Sequence, residues 1–80
     1  MKPHIILGAV AKYFGQHYYL WATCKELVVP KKIACYLLYW HWFKSVQGVM
    51  DLMNVSDYFV KQASQMEDKR ISDIERMLGV

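Results

Sequence analysis

Eighty residues, with ten Lys and Arg against seven Asp and Glu, allow one domain around one modest hydrophobic core. A hydrophobic content of 55%, with 15% aromatic, excludes a disordered chain, and two cysteines are too few for a disulfide framework. The net charge of +3 is uneven: Lys2, Lys12, Lys25, Lys31, Lys32 and Lys44 face a lone Glu26 in the first 44 residues, so positive potential belongs to the N-terminal half and suits a polyanion without demanding one.

The opening apolar stretch Ile5 to Val10 is interrupted by Lys12, so no signal peptide is expected. Ile6, Val10, Tyr13 and Phe14 share one face of a first helix, which Gly15 is placed to end. The aromatic-rich residues His17 to Thr23 read as a short second helix. Pro30 can open a third, because its missing N–H would be unpaired there in any case. From Pro30 to Phe43, Ile33, Ala34, Leu37, Leu38 and His41 take one side while Tyr36, Tyr39 and Phe43 make the other apolar, so this helix should be buried nearly all round. Its apolar run from Ile33 is far shorter than the roughly 20 residues of a membrane span.

Ser45 is a good N-cap for a helix that points Val46, Val49, Leu52 and Met53 one way. Asn54 tolerates the left-handed conformation that ends a helix, and Ser56 caps the next, which carries Phe59, Val60, Ala63 and Met66 inward. Ile71, Ile74, Met77 and Leu78 mark a last helix before Gly79. Nothing alternates with period two over a useful length. The fold expected is all-α: a single small domain over residues 1–80 containing a helix-turn-helix at roughly Ser45 to Ser64.

Catalytic and metal chemistry find little support. Cys24, Cys35, His17 and His41 have no C-x-x-C or H-x-x-x-H relation, and Glu26, Asp51 and Asp57 assemble no paired carboxylates. We expect no metal, no cofactor, no small-molecule substrate and no enzyme. The cysteines read as reduced thiols of a cytoplasmic protein.

Three elements in order carry a family resemblance: an opening helix at Val10-Ala-Lys-Tyr-Phe-Gly, a basic loop into Leu27-Val-Val-Pro-Lys-Lys-Ile-Ala-Cys-Tyr-Leu-Leu, and the capped helix Ser45-Val-Gln-Gly-Val-Met. Together they resemble the C-terminal DNA-binding domain of the bacterial replication initiator DnaA, of the Trp-repressor-like class. The resemblance implies a duplex-DNA partner, with Lys25, Lys31 and Lys32 on phosphates, Ser45, Val46 and Gln47 touching backbone and bases, and a recognition helix starting near Ser56. That family's recognition helix carries glycine, arginine, aspartate, histidine, two hydroxyl residues and valine. Here the stretch is Asn54-Val-Ser-Asp-Tyr-Phe-Val, in which Ser56 or Asp57 stands for the aspartate, Asp57 or Tyr58 for the histidine, and nothing for the arginine.

Each residue also has a plainer role. The lysines fit a solvated helix edge, Ser45 an ordinary cap, and Lys61 and Gln62 an exposed helix face, although Gln can pair bidentately with adenine. Trp40 and Trp42 stand about 200° apart on a helix, so a one-sided core cannot easily take both. Either the helix is wrapped on every side, or one tryptophan, with Tyr39 or Tyr36, belongs to a protein interface. Two functions follow. One is a small stand-alone double-stranded DNA-binding protein, a regulator or replication accessory factor of a phage or plasmid, with Ser56, Asp57, Tyr58, Lys61 and Gln62 on its recognition helix; a homodimer fits paired half-sites. The other is a repurposed module that binds a host replication or defence protein through Tyr39, Trp40 and Trp42.

Overall fold

The computed structural model describes residues 2–15 and 28–80, which form helices and turns with no strand among them. The short helix expected at His17 to Thr23 lies outside the described residues, as do Cys24 and Lys25. Five α-helices follow in order: α1 Pro3–Phe14, α2 Val28–Leu38, α3 Val46–Met53, α4 Asp57–Ser64 and α5 Lys69–Leu78. None is long and apolar enough to cross a membrane.

Local chemistry sets most of the boundaries. Pro3 occupies the first turn of α1, and Gly15 ends it in the left-handed region at φ 68°, donating its N–H to the carbonyls of Ala11 and Lys12. Ser45 and Ser56 cap α3 and α4 as expected, their Oγ atoms accepting from Gly48 N at 3.4 Å and Phe59 N at 3.1 Å. Asn54 ends α3 at φ 55°, and Val55 and Ser56 complete a three-residue turn into α4. Asp68 caps α5 by accepting from Arg70 N at 2.9 Å, and Gly79 closes that helix at φ 78°.

α2 is central, packed against both α1 and α4, while α1 also meets α5 and α3 meets α4. Ile33, Leu37 and Leu38 of α2 are fully buried with Ile6 and Val10 of α1, Val49 of α3, Val60 of α4 and Ile74 of α5. No described polar or charged side chain is fully buried. Two side-chain contacts link α5 to α1: the Tyr13 hydroxyl donates to Asp73 Oδ2 at 3.0 Å, and the Arg70 guanidinium lies 5.4 Å from the centre of the Phe14 ring.

Several expectations are corrected. α2 already includes Val28 and Val29, so Pro30 lies within it rather than opening it. The α-helix does not continue to Phe43. After Leu38 it widens into a π-helical turn over Tyr39–Phe43, in which Lys44 N–H reaches back five residues to the Tyr39 carbonyl at 2.8 Å. The long helix is therefore not wrapped on all sides: Trp40 and Trp42 are 50% and 42% exposed, so neither tryptophan joins the core.

Leu52 and Met77, expected inward, are also exposed. Each stands three residues after the buried centre of its helix, Val49 or Ile74, and so about 60° off the inward direction. The positions at plus four, Met53 and Leu78, lie closer to it and pack on the core instead.

Candidate nucleic-acid interface

Four side chains leave α4 on the side away from the core. Asp57, Tyr58, Lys61 and Gln62 span an arc of about 140°, opposite Val60 and Ala63, which are buried. Tyr58 is 70% exposed, the most open of the large hydrophobic residues described. Asp57 accepts from Tyr58 N through Oδ1 at 2.8 Å, while its Oδ2 stands 3.6 Å from the Lys61 ammonium. This i, i+4 pair is solvent-exposed and adds a few tenths of a kcal/mol, about 0.3–0.5, to the helix. Ser56 is committed to its cap, which limits what else its hydroxyl can donate to or accept.

The lysines of α2 meet this helix at its first turn. Lys31 Nζ lies 5.8 Å and Lys32 Nζ 5.9 Å from the centre of the Phe59 ring. Both positive charges therefore sit beside the residue that follows Tyr58. Near the start of a helix a lysine opposes the macrodipole, and the aromatic face offsets part of that cost. Among the described residues the ion pairs are His41–Glu75, Lys61–Asp57, Arg70–Asp68 and Arg76–Asp73, and neither Lys31 nor Lys32 belongs to one.

The start of α3 offers less. Ser45 is held as the cap, Val46 packs on the core, and Gln47 donates through Nε2 to Asp51 Oδ1 at 2.8 Å on an exposed helix face. The structure thus brings Ser56, Asp57, Tyr58, Lys61 and Gln62 together on one helix and sets Lys31 and Lys32 beside its first turn. Phe59 is the residue that sequence reasoning assigned to the core alone. No local signal marks it as a seat for lysines from α2, because that contact is made only by the packing of α2 on α4.

The aromatic site takes a different form from the one expected. Trp40 donates from Nε1 to the Ser64 carbonyl at 3.0 Å, tying the π turn to the last turn of α4. The Tyr39 ring meets the Trp40 ring edge-on at 5.0 Å, and Tyr36 is tilted against it at 6.4 Å. Tyr39 is half-buried, so the exposed surface is chiefly the two tryptophans. His41 reaches α5, its Nε2 2.7 Å from Glu75 Oε2.

Among the described residues no group of three His, Cys, Asp or Glu side chains is arranged to hold a metal ion. Cys35 is free and buried, and that burial pushes its thiol up to about 12 while Lys31 pulls it slightly down. It is therefore a packed, protonated side chain at neutral pH rather than a nucleophile. Comparison with family models, with curated proteins and with solved structures finds no match to this chain.

Proposed function

We propose that this chain is a small double-stranded DNA-binding module that lays α4 in the major groove, in the service of transcriptional regulation or of replication. One observation carries the proposal. The second helix of a helix-turn-helix turns Asp57, Tyr58, Lys61 and Gln62 outward, with two lysines of another helix at its first turn. Such an arc supplies donors, an acceptor and an apolar ring, the set needed to read base edges, while the lysines supply sequence-independent attraction to phosphates. The Asp57 carboxylate would repel phosphates, so its place in a complex is against the bases, where it can accept from a cytosine amino group. The likeness to the initiator's DNA-binding domain supports the same reading, and the missing arginine argues for a different target sequence.

Fluorescence anisotropy on mixed and selected duplexes at two or more salt concentrations tests it. Changing Lys25, Lys31 and Lys32 together to alanine should weaken every duplex alike and flatten the salt dependence. Gln62→Ala should instead cost about 1–3 kcal/mol on a preferred site and little on random duplex. A purified, folded chain with no affinity for any duplex at low salt overturns the proposal. The exposure of both Trp40 and Trp42 favours one second reading, a module that captures a partner protein through this aromatic surface.

A further inference from the structure

Two ammonium groups held within 6 Å of one ring are an unusual resting arrangement. Lys31 and Lys32 are consecutive residues whose charges repel, and each converges on Phe59, at 5.8 and 5.9 Å from its centre. Ring faces attract cations, but more weakly than a carboxylate does, and neither lysine pairs with an acidic side chain among the described residues. The arrangement brings two positive charges, neither paired with a described acidic side chain, to the first turn of α4, which also carries Asp57. It also restrains two side chains that would otherwise sweep a large volume, so part of the ordering entropy of binding is already lost in the free protein.

We propose that Lys31 and Lys32, seated on Phe59, form a phosphate clasp for one DNA backbone phosphodiester, and that Phe59 is the positioning residue that fixes where this phosphate lies relative to the base-reading arc of α4. The inference rests on the DNA-binding reading and assigns a role within it. Phe59 touches no nucleic acid. Because it lies on α4 itself, next to Tyr58, a phosphate held over it sets the depth and register of that helix in the groove. The grip and the reading face are then one rigid unit rather than two independent attractions.

The test is a double-mutant cycle read by anisotropy on a mixed-sequence duplex across a salt series. Phe59→Leu keeps the apolar bulk and removes the ring face, while Phe59→Tyr keeps the ring. Phe59→Leu should weaken duplex binding about fivefold and lower the salt slope, and Phe59→Tyr should bind as the native chain does. In a background of Lys31→Ala with Lys32→Ala, which itself lowers the slope by about 0.9 because the two lysines share one phosphate, Phe59→Leu should have no further effect. Phe59→Met serves in place of Phe59→Leu if thermal melting shows that the leucine variant has lost its cooperative fold. Equal losses from Phe59→Leu in both backgrounds, or no loss in either, overturn the clasp while leaving the DNA reading intact. Absence of duplex binding by the native chain removes both.

Discussion

Asp68 shows how one side chain can do two separable jobs. Its carboxylate caps α5 and also pairs with the Arg70 guanidinium at 2.7 Å, and hydrogen bonds from that side chain and from the Arg70 backbone N–H pull its pKa down from 3.8 to about 2. A carboxylate whose folded pKa is depressed contributes stability that is full above its unfolded value and disappears as pH falls through the folded one. The window for Asp68 therefore runs from about pH 4 down to about pH 2. Asn caps a helix as well as Asp does but carries no charge. Asp68→Asn should leave α5 formed, lower the melting temperature modestly at pH 7, and melt with a shallower acid dependence between pH 4 and pH 2 than the native chain. Identical acid limbs in thermal melts would show that the Arg70 pair contributes nothing. Asp68 is not among the caps expected from the sequence, although an Asp before an amphipathic run is a signal for one, and the Tyr13–Asp73 bond, across 60 residues of chain, leaves no local signal at all.

The π turn and the start of α3 are fixed by each other. A Cβ added at Gly48 would fall 2.7 Å from Phe43 Cγ and 3.1 Å from Phe43 Cβ, so the ring of the π turn lies directly on the α3 backbone. The near part of the Phe43 side chain cannot swing away without moving the turn that carries it. Glycine to alanine in a helix ordinarily gains up to about 1 kcal/mol, and Gly8, with nothing within 4 Å of its added Cβ, should behave that way. Gly48→Ala should reverse the sign and destabilise by about 1–3 kcal/mol through overpacking. Chemical denaturation of the two variants side by side checks the contrast, and equal stabilisation would remove Phe43 as the reason for glycine in α3. The helix ends at Gly15, Asn54 and Gly79 and the starts at Ser45 and Ser56 were legible because each depends on neighbours along the chain. The widened turn at Tyr39–Phe43 was not, because nothing in Tyr-Trp-His-Trp-Phe forbids an ordinary helix. What accompanies the wider turn is tertiary: Trp40 bonded to the Ser64 carbonyl, His41 beside Glu75, and Phe43 seated on Gly48.

Across the whole molecule the two candidate surfaces involve opposite ends of one helix. The outward arc of α4 begins at its first turn, while Trp40 is bonded to the carbonyl of its last residue, Ser64. The outward polar face of α4 was legible from its helical period, and so was the conflict between Trp40 and Trp42. Its resolution in favour of exposing both was not, because it depends on where α4 and α5 lie against the π turn. The extent of that aromatic surface decides how it can be used. A tryptophan offers at most about 250 Å², so two residues that are 50% and 42% exposed present on the order of 200 Å². Stable interfaces bury about 800 Å² on each partner. Among the described residues the tryptophans alone fall short of that area, and the other exposed large hydrophobics, among them Ile5, Val28, Val29, Leu52, Tyr58 and Met77, are spread over five helices. Free in solution at tens of micromolar, the chain should sediment at the mass of one molecule, and Trp42→Ala should leave that mass unchanged. The monomer should still retain duplex DNA at low salt, with an affinity indifferent to Trp42→Ala and sensitive to Gln62→Ala. The converse pattern, a dimer that Trp42→Ala dissociates together with indifference of the protein to every duplex, would move the function from α4 to the aromatic surface.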